Sequence, residues 1–418
     1  MFYLLDFFII FFLSYLFTKG HSYISVSTFS HKVYPFYFVL IFAYFLISLP
    51  NRWGKKHQKM LGKIKLVIFC LVFLATVGKT FYTAIHLRHK VPDYPVHDNP
   101  IQIEEAIKHL LAGKNPYAQD FHDTPLEDWY KDNPAIYHVV TLPFYSLFSL
   151  LFFFPCKAVF GYFDQRMVHG VVFFACLGLL WKMVKPVREK IIYLSFFAFN
   201  PLFIHFFIEG RNDIFVFTWV FLSLYLLSKK KVLASSLFLG LAFSSKQPSW
   251  LILPFYFFYI FWQEKKSLSL LKKARLTFKK TWAFFAAIAF FFLPFLAWDA
   301  KSFIEDIYFY PGGGLTTSFP ISGEGFSRFL LLLGINPKAY FPFWGFQLIF
   351  GLPILFYLLK SLYKNRKISF LILSYALFIF VFWLFSRFFM DNYIGYLSML
   401  FLLARVFWGK ETGWRVLL

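Results

Sequence analysis

The polar residues that could carry chemistry are few, and they form short clusters between long apolar stretches. The clusters consist of the following residues: Glu209, Arg211, Asn212 and Asp213; Lys246 and Gln247; and Arg387 with Asp391. A carboxylate can take a proton from a hydroxyl group, and nearby Lys or Arg side chains can stabilise the charge on a departing phosphate. This combination of residue types indicates group transfer from a phosphate compound.

Asp98 is the main candidate for the general base. It precedes a segment in which Asn99 suits the N-cap position, Pro100 the first helical turn and Gly113 the C′ position. One face of this segment is apolar and consists of Ile103, Ala106, Ile107, Leu110 and Leu111. The pattern predicts a short amphipathic helix that lies flat at a membrane interface, with Asp98 at its positive end.

Two other carboxylates in the same region compete with Asp98 for this role. Asp93 lies in the turn Pro92-Asp-Tyr-Pro95, which already explains it structurally. Glu104 is spaced to form an i,i+4 pair with Lys108. Asp98 together with Glu104 could hold a metal ion, but the predicted chemistry requires no metal and no cofactor.

The composition determines the kind of protein that must position these residues. Of the 418 residues, 59% are hydrophobic and only 15% are charged, which is too few to cover the surface of a soluble globular protein. This excludes a soluble enzyme, a disordered protein and a secreted disulfide scaffold. The composition predicts an all-α, polytopic integral-membrane domain over residues 1–418.

The apolar segments give the expected membrane crossings. They cover residues 2–18, 33–49, 64–87, 138–155, 167–182, 190–208, 213–228, 232–246, 249–263, 281–298, 341–359, 368–386 and 389–408. One of the two segments between 138 and 182 is expected not to span, so the sequence predicts about 12 transmembrane helices.

The basic residues predict which side of the membrane each loop faces. Most of the 43 Lys and Arg residues lie in the segments 51–65, 182–190, 229–231, 264–280, 360–367 and 405–415. The positive-inside rule assigns these segments and both termini to the cytoplasm, in what we expect to be a bacterial plasma membrane. The segments 88–137, 209–213, 246–248, 299–340 and 386–392 then face the outside, and they contain the polar clusters.

An outside-facing site restricts the substrates, because cytosolic ATP and nucleotide sugars do not reach it. The activated donors expected there are lipid-linked, such as a polyprenyl-phosphate sugar. Asp98 is then the predicted base, and Lys246, Arg211 and Arg387 are the predicted ligands of the donor phosphate in an electropositive pocket. The residues predicted to orient the substrate are Glu209, Asn212, Asp213, Glu104, Tyr117 and Gln247.

Three stretches between about residues 90 and 400 resemble the GT-C superfamily of integral-membrane glycosyltransferases, and most closely its bacterial, polyprenyl-phosphate-sugar-dependent, mannosyltransferase-like branch. The stretches are Asp98 with Gly113-Lys-Asn-Pro-Tyr117, then Asn133-Pro-Ala-Ile-Tyr137 leading to Leu142-Pro143, and then Gly210-Arg-Asn-Asp213 with Leu239-Gly-Leu-Ala242 and Lys246-Gln-Pro248. The segment from Ser386-Arg387 to Tyr393 is loosely similar to the family's late helix start.

The resemblance implies a GT-C-like fold with a structured first loop, a catalytic Asp that corresponds to Asp98, and cationic recognition of lipid phosphate, for which Lys246 is the best match. It implies an inverting enzyme that transfers a hexose, with mannose expected, to a glycolipid or cell-envelope glycan on the outer face. The chain departs from the family in having three hydrophobic segments before the loop, where one is typical. Membrane lipid is an expected partner and nucleic acid is not.

Two other functions remain open from the residues alone. A flippase or transporter of lipid-linked glycans should show two pseudo-symmetric halves with polar residues at mid-membrane, and no internal repeat is visible. A ligase or polymerase of the O-antigen type should have a large late outside loop, for which residues 299–340 are a candidate. The sugar, the acceptor and the linkage also remain open.

Overall fold

The computed structural model describes residues 4–19, 33–49, 55–91, 96–129 and 133–414, and the protein is almost entirely helical. The helices of the first half are α1 (Leu5–Lys19), α2 (Val33–Ser48), α3 (Lys55–Phe73), α4 (Lys79–Arg88), α5 (Asp98–Leu111), α6 (Pro143–Phe160), α7 (Gln165–Met183), α8 (Val187–Ala198) and α9 (Ile204–Glu209). A π-helical turn, Leu74–Gly78, joins α3 to α4.

The second half of the chain is also almost entirely helical. Its helices are α10 (Asp213–Ser228), α11 (Val232–Phe243), α12 (Leu253–Gln263), α13 (Leu270–Ile304), α14 (Tyr310–Gly312), α15 (Phe326–Leu332), α16 (Phe343–Asn365), α17 (Ile368–Leu384) and α18 (Asp391–Glu411). Two short strands, β1 (Ser322–Gly323) and β2 (Phe388–Phe389), pair in parallel. They attach the glycine-rich segment after α14 to the turn between α17 and α18.

The described residues include five helices long and apolar enough to cross a membrane, and these cover Lys59–Arg88, Pro143–Phe160, Gln165–Met183, Leu270–Gly312 and Phe343–Asn365. Several shorter apolar helices accompany them. Large hydrophobic side chains such as Phe42, Phe290 and Tyr357 are more than half exposed, as expected for surfaces that face lipid. The predicted helical architecture is confirmed and its apolar helices are consistent with a membrane protein, whereas the predicted number of spans stays a prediction.

One predicted span is not a single helix. The segment 190–208 is divided into α8 and α9, because the chain turns at Asn200 and Pro201. The Asn200 side chain accepts a hydrogen bond from the Leu202 backbone N–H at 3.0 Å, and Pro201 has no N–H with which to continue α8. This break places the short helix α9, and the turn that follows it, against α5.

Helix α5 is packed on most of its sides, and the prediction that it lies flat at a membrane interface stays a prediction. The predicted apolar face is buried at Ile103, Ala106 and Ile107, but Gln102 and Glu105 on other faces are buried as well. Ile103 and Ile107 belong to the main core, whereas Ala106 packs in a smaller second core. Since α5 lies between the two cores, tertiary packing fixes its first turn.

Candidate functional site

A cavity of about 470 Å³ lies where the ends of several helices meet. Its lining includes the start of α5, the turn between α9 and α10, the residue Lys246 after α11, and the start of α18. The basic segments 229–231 and 360–367 lie at the other ends of α10, α11, α16 and α17. The cavity and these basic segments are therefore at opposite ends of α10, α11 and α17.

Four of the residues predicted from the sequence line this cavity. They are Asp98, Arg211, Asn212 and Lys246. Two further predicted residues, Glu209 and Asp213, bind the cations of the lining. Asp98 thus comes together with residues that are about 110 to 150 positions later in the chain.

Asp98 occupies the first turn of α5, and its side chain is 20% exposed. Its Oδ1 lies 2.6 Å from Nδ1 of His97, which is the N-cap residue, so the prediction of Asn99 as N-cap is wrong. Burial raises the pKa of the Asp98 carboxyl, but His97 and Arg211 lower it by more, and the pKa ends below its usual value. Asp98 is therefore ionised at neutral pH, as a general base must be.

The C-terminal end of α5 agrees with the sequence prediction. Ala112 is the C-cap and Gly113 follows it with φ of +70°, a left-handed conformation that glycine adopts without strain. The side-chain pairing differs from the prediction. Lys108 lies 2.6 Å from Glu105, and Glu104 has a different cation as its partner.

A buried charge network holds α5 against α4 and α7. Arg88 donates to both carboxylate oxygens of Glu104 at 2.7 and 2.8 Å, and to Asp164 at 3.0 Å. Asp164 in turn lies 2.7 Å from the fully buried Arg166. Buried charges are tolerated when they are paired in this way. Glu104 was predicted to orient the substrate. Its contacts instead hold helix α5, which carries Asp98, in position.

Arg211 approaches Asp98 because of the glycine that precedes it. Gly210 has φ of +102°, and a Cβ there would lie 2.3 Å from Cγ of Pro100 in α5. The guanidinium of Arg211 donates to Asn392 Oδ1 at 2.7 Å and lies 3.2 Å from Asp391. A larger residue at position 210 would separate the two segments, so the close approach depends on glycine.

The ammonium group of Lys246 donates hydrogen bonds to neighbouring side chains on one side. It donates to Asn212 Oδ1 at 2.6 Å and to Asp213 Oδ1 at 2.9 Å. Asn392 donates to the other oxygen of Asp213 at 2.5 Å, which links the Lys246 contacts to those of Arg211. Both cations on the lining therefore have carboxylate partners, and the predicted electropositive character of the pocket stays a prediction.

The remaining four predicted residues, like Glu209 and Asp213, do not line this cavity, and each has contacts that explain its position. Glu104 is in the network with Arg88 described above. Arg387 is 3% exposed and donates to the carbonyl oxygens of Phe319, Pro337 and Ala339. Its guanidinium holds the glycine-rich loop, so it is not placed to bind donor phosphate in this cavity.

Tyr117 and Gln247 both support the segment that precedes α6. Tyr117 donates to the Thr141 carbonyl at 2.8 Å and packs edge-on against Phe295 and Phe303. Gln247 donates to the carbonyls of Val140 and Ile307 at 3.4 and 3.2 Å. These contacts fix the backbone behind the cavity and do not place either side chain on its lining.

A second cavity, of about 570 Å³, adjoins the first and shares the lining residues His97, Trp129 and Arg211 with it. Its own lining adds the carboxylates of Glu209, Glu324 and Asp391. The base candidate Asp93 lies outside the described residues. Within the described ranges, no group of three or more His, Cys, Asp or Glu side chains is placed to hold a metal ion.

Sequence reasoning missed several lining residues. His97, Asn133, Thr141, Tyr310 and Asn392 all line the first cavity. Asn392 had one signal, since it follows Asp391 at the start of a helix. His97, Asn133 and Thr141 lie in irregular segments, and Tyr310 begins a helix of only three residues, so none of them belongs to a periodic pattern. No known family model matches the sequence, and no solved structure matches the protein.

Proposed function

We propose that this protein is an inverting membrane glycosyltransferase that moves a hexose, with mannose as the expected sugar, from a polyprenyl-phosphate sugar to a glycolipid or glycan acceptor on the extracytoplasmic face. The observation that carries the proposal is the presence of one carboxylate, one ammonium and one guanidinium group on the lining of a single cavity. These groups belong to Asp98, Lys246 and Arg211. The sequence resemblance to GT-C enzymes supports the same reaction.

The proposed reaction uses each of these groups once. The oxygen of an acceptor hydroxyl attacks the anomeric carbon, and the bond from that carbon to the phosphate oxygen breaks with its electron pair on the phosphate. Asp98 takes the hydroxyl proton and later releases it to solvent. Lys246 and Arg211 stabilise the additional negative charge on the polyprenyl phosphate that leaves. Attack from the face opposite the phosphate inverts the configuration.

The paired state of the two cations is compatible with phosphate binding. An ammonium group has three N–H donors, and Lys246 uses two of them for Asn212 and Asp213. A guanidinium group has five donors, and the contacts of Arg211 to Asn392 and Asp391 use NH1 alone. Each cation thus keeps donors for a ligand while its carboxylate partners fix its position.

The size of the cavity also fits a small substrate group. A volume of about 470 Å³ lies within the range of about 300–1,000 Å³ that is typical of small-molecule pockets. Phe319, Pro320, Phe388 and Met390 give part of the lining an apolar surface. Such a cavity can accept the sugar and phosphate of a donor together with the first part of its lipid chain.

The proposal is tested by transfer of radiolabelled mannose from polyprenyl-phosphate mannose to a mixed glycolipid and glycan acceptor extract, with the protein in lipid nanodiscs. Asp98→Asn should lower transfer by a factor of about 10² or more, because the base is lost. Asp128→Asn is the matched control, since Asp128 is an exposed carboxylate in the same region and does not line the cavity.

Unchanged transfer by a folded Asp98→Asn variant would show that Asp98 is not the base. A different function would be indicated if wild-type protein transferred no sugar from several lipid-linked donors. If it moved labelled lipid between leaflets under those conditions, the flippase would replace the glycosyltransferase.

A further inference from the structure

The first cavity has a second set of polar residues that the charged groups do not explain. Asn133, Thr141 and Tyr310 line it, and they are 3%, 2% and 1% exposed. Asn133 and Thr141 lie near the two ends of the segment that precedes α6, and Tyr310 is the first residue of α14. All three are uncharged, so they differ in chemistry from the part of the lining formed by Asp98 and Lys246.

Each of these side chains has one polar atom without a hydrogen-bond partner among the described residues. The atoms are Nδ2 of Asn133, Oγ1 of Thr141 and Oη of Tyr310. Leaving a buried polar group unpaired costs about 1–3 kcal/mol, and folded proteins seldom accept this cost. All three residues line one cavity, so a ligand bound there could supply their hydrogen bonds.

The backbone that carries two of these residues is fixed relative to Asp98. Gln102 lies four residues after Asp98 and therefore on the same face of α5. Its Nε2 donates to the carbonyls of Ala135 and His138 at 2.9 and 2.8 Å. The buried amide thus ties the segment between Asn133 and Thr141 to the first turns of α5, beside the candidate base.

The chemistry of the three atoms limits the kind of ligand. The Asn133 amide nitrogen only donates, whereas the hydroxyls of Thr141 and Tyr310 can both donate and accept. A partner that both accepts and donates, and that carries no charge, satisfies all three groups. Sugar hydroxyls have these properties, while a phosphate is better matched to Lys246 and Arg211 in the same lining.

We propose that Asn133, Thr141 and Tyr310 form a sugar subsite that binds the hydroxyl groups of the hexose carried by the lipid donor. The assignment to the donor rests on the proposed function, because the donor sugar is one bond away from the phosphate that Lys246 and Arg211 bind. The subsite holds the ring so that the anomeric carbon faces the position of an acceptor activated by Asp98.

The test measures binding, so that it does not depend on turnover. Wild type, Tyr310→Phe and Thr141→Val in nanodiscs are titrated with prenyl-phosphate hexoses (mannose, glucose and galactose) and with the same prenyl phosphate without sugar. Each substitution removes one hydroxyl. Each should weaken binding of the preferred sugar lipid by about threefold to tenfold, the equivalent of one neutral hydrogen bond, and leave binding of the bare prenyl phosphate unchanged.

Thermal unfolding separates this effect from a loss of folding. Removing the unpaired hydroxyl of Tyr310 should leave the unfolding temperature unchanged or raise it. Tyr117→Phe is the matched control, because its buried hydroxyl donates to the Thr141 carbonyl and its removal should lower that temperature. A fall with Tyr310→Phe equal to that with Tyr117→Phe would mean that the Tyr310 hydroxyl is already paired, and would overturn the proposal.

The remaining outcomes distinguish the subsite from the proposed function. Equal affinity of wild type and both variants for every sugar lipid would overturn the subsite, and so would a wild type that binds sugar lipids no better than prenyl phosphate. A loss of affinity for the bare lipid as large as that for the sugar lipid would also overturn it. Sugar-dependent binding that the substitutions weaken, in a protein that transfers no sugar, would support the subsite and refute the transferase.

Discussion

Replacing Lys246 by methionine should destabilise the protein, whatever its part in phosphate binding. Lys246 lies 2.9 Å from Asp213, and the two side chains are 15% and 5% exposed. Removing one partner of a buried ion pair costs about 3–5 kcal/mol, because the other charge is left uncompensated. Asn392 still donates to Asp213, so the expected loss is near the lower limit, about 3 kcal/mol.

A second substitution separates the structural role of Lys246 from its role towards the substrate. In the double variant Lys246→Met with Asp213→Asn, the buried carboxylate is gone together with its cation. The double variant should therefore recover most of the lost stability. If Lys246 also binds the donor phosphate, transfer should remain low in the double variant, because no cation replaces the ammonium group.

The assay is thermal unfolding in nanodiscs, with sugar transfer measured on the same preparations. Lys108→Met is the control, because Lys108 is 57% exposed and its pair with Glu105 should contribute less than about 1 kcal/mol. An unchanged unfolding temperature for Lys246→Met would refute the ion-pair reasoning. Recovery of transfer in the double variant would show that Lys246 acts only as a counter-ion for Asp213.

Two further predictions concern the surroundings of Asp98. Gly210→Ala should lower the unfolding temperature and abolish transfer, because the added Cβ would collide with Pro100. Gly113 also has a positive φ but open space around it, so Gly113→Ala should lower the stability by only about 1 kcal/mol. The pH profile should show no acidic limb from Asp98 down to about pH 5, because its pKa is below the usual 3.8. His97→Gln removes a cause that lowers this pKa, so the acidic limb should move to higher pH, and an unchanged profile would contradict the assignment of Asp98 as base.

The positions of the helices followed from the lengths of the apolar segments. The segments 213–228 and 368–386 predicted helices that occur as Asp213–Ser228 and Ile368–Leu384. A backbone in lipid must satisfy its own hydrogen bonds, so a long apolar segment has few alternatives to a helix. The break at Pro201 could have been expected for the same reason, because proline cannot continue the backbone ladder.

The side-chain contacts of the site were harder to predict from the sequence than the helices, because they join distant parts of the chain. Glu104 was expected to pair with Lys108 four residues later, but its partner is Arg88 in another helix. An exposed pair of Glu104 with Lys108 would be weak, whereas the observed pair of Glu104 with Arg88 is buried and has two hydrogen bonds. The role of Arg387 depends likewise on the carbonyls of a loop that has no helical pattern.

The length of helix α11 bears on how the lipid-linked donor of the proposed function would reach Lys246. Helix α11 has 12 residues and therefore rises only about 18 Å from the basic segment 229–231 towards Lys246. A bilayer core is about 30 Å thick, so with the basic segment at one surface, Lys246 would lie below the other surface. A cation at that depth needs partners, and Asp213 and Asn212 provide them. A cavity recessed in this way is better placed for the phosphate of a lipid that moves laterally in the membrane than for a substrate from bulk water.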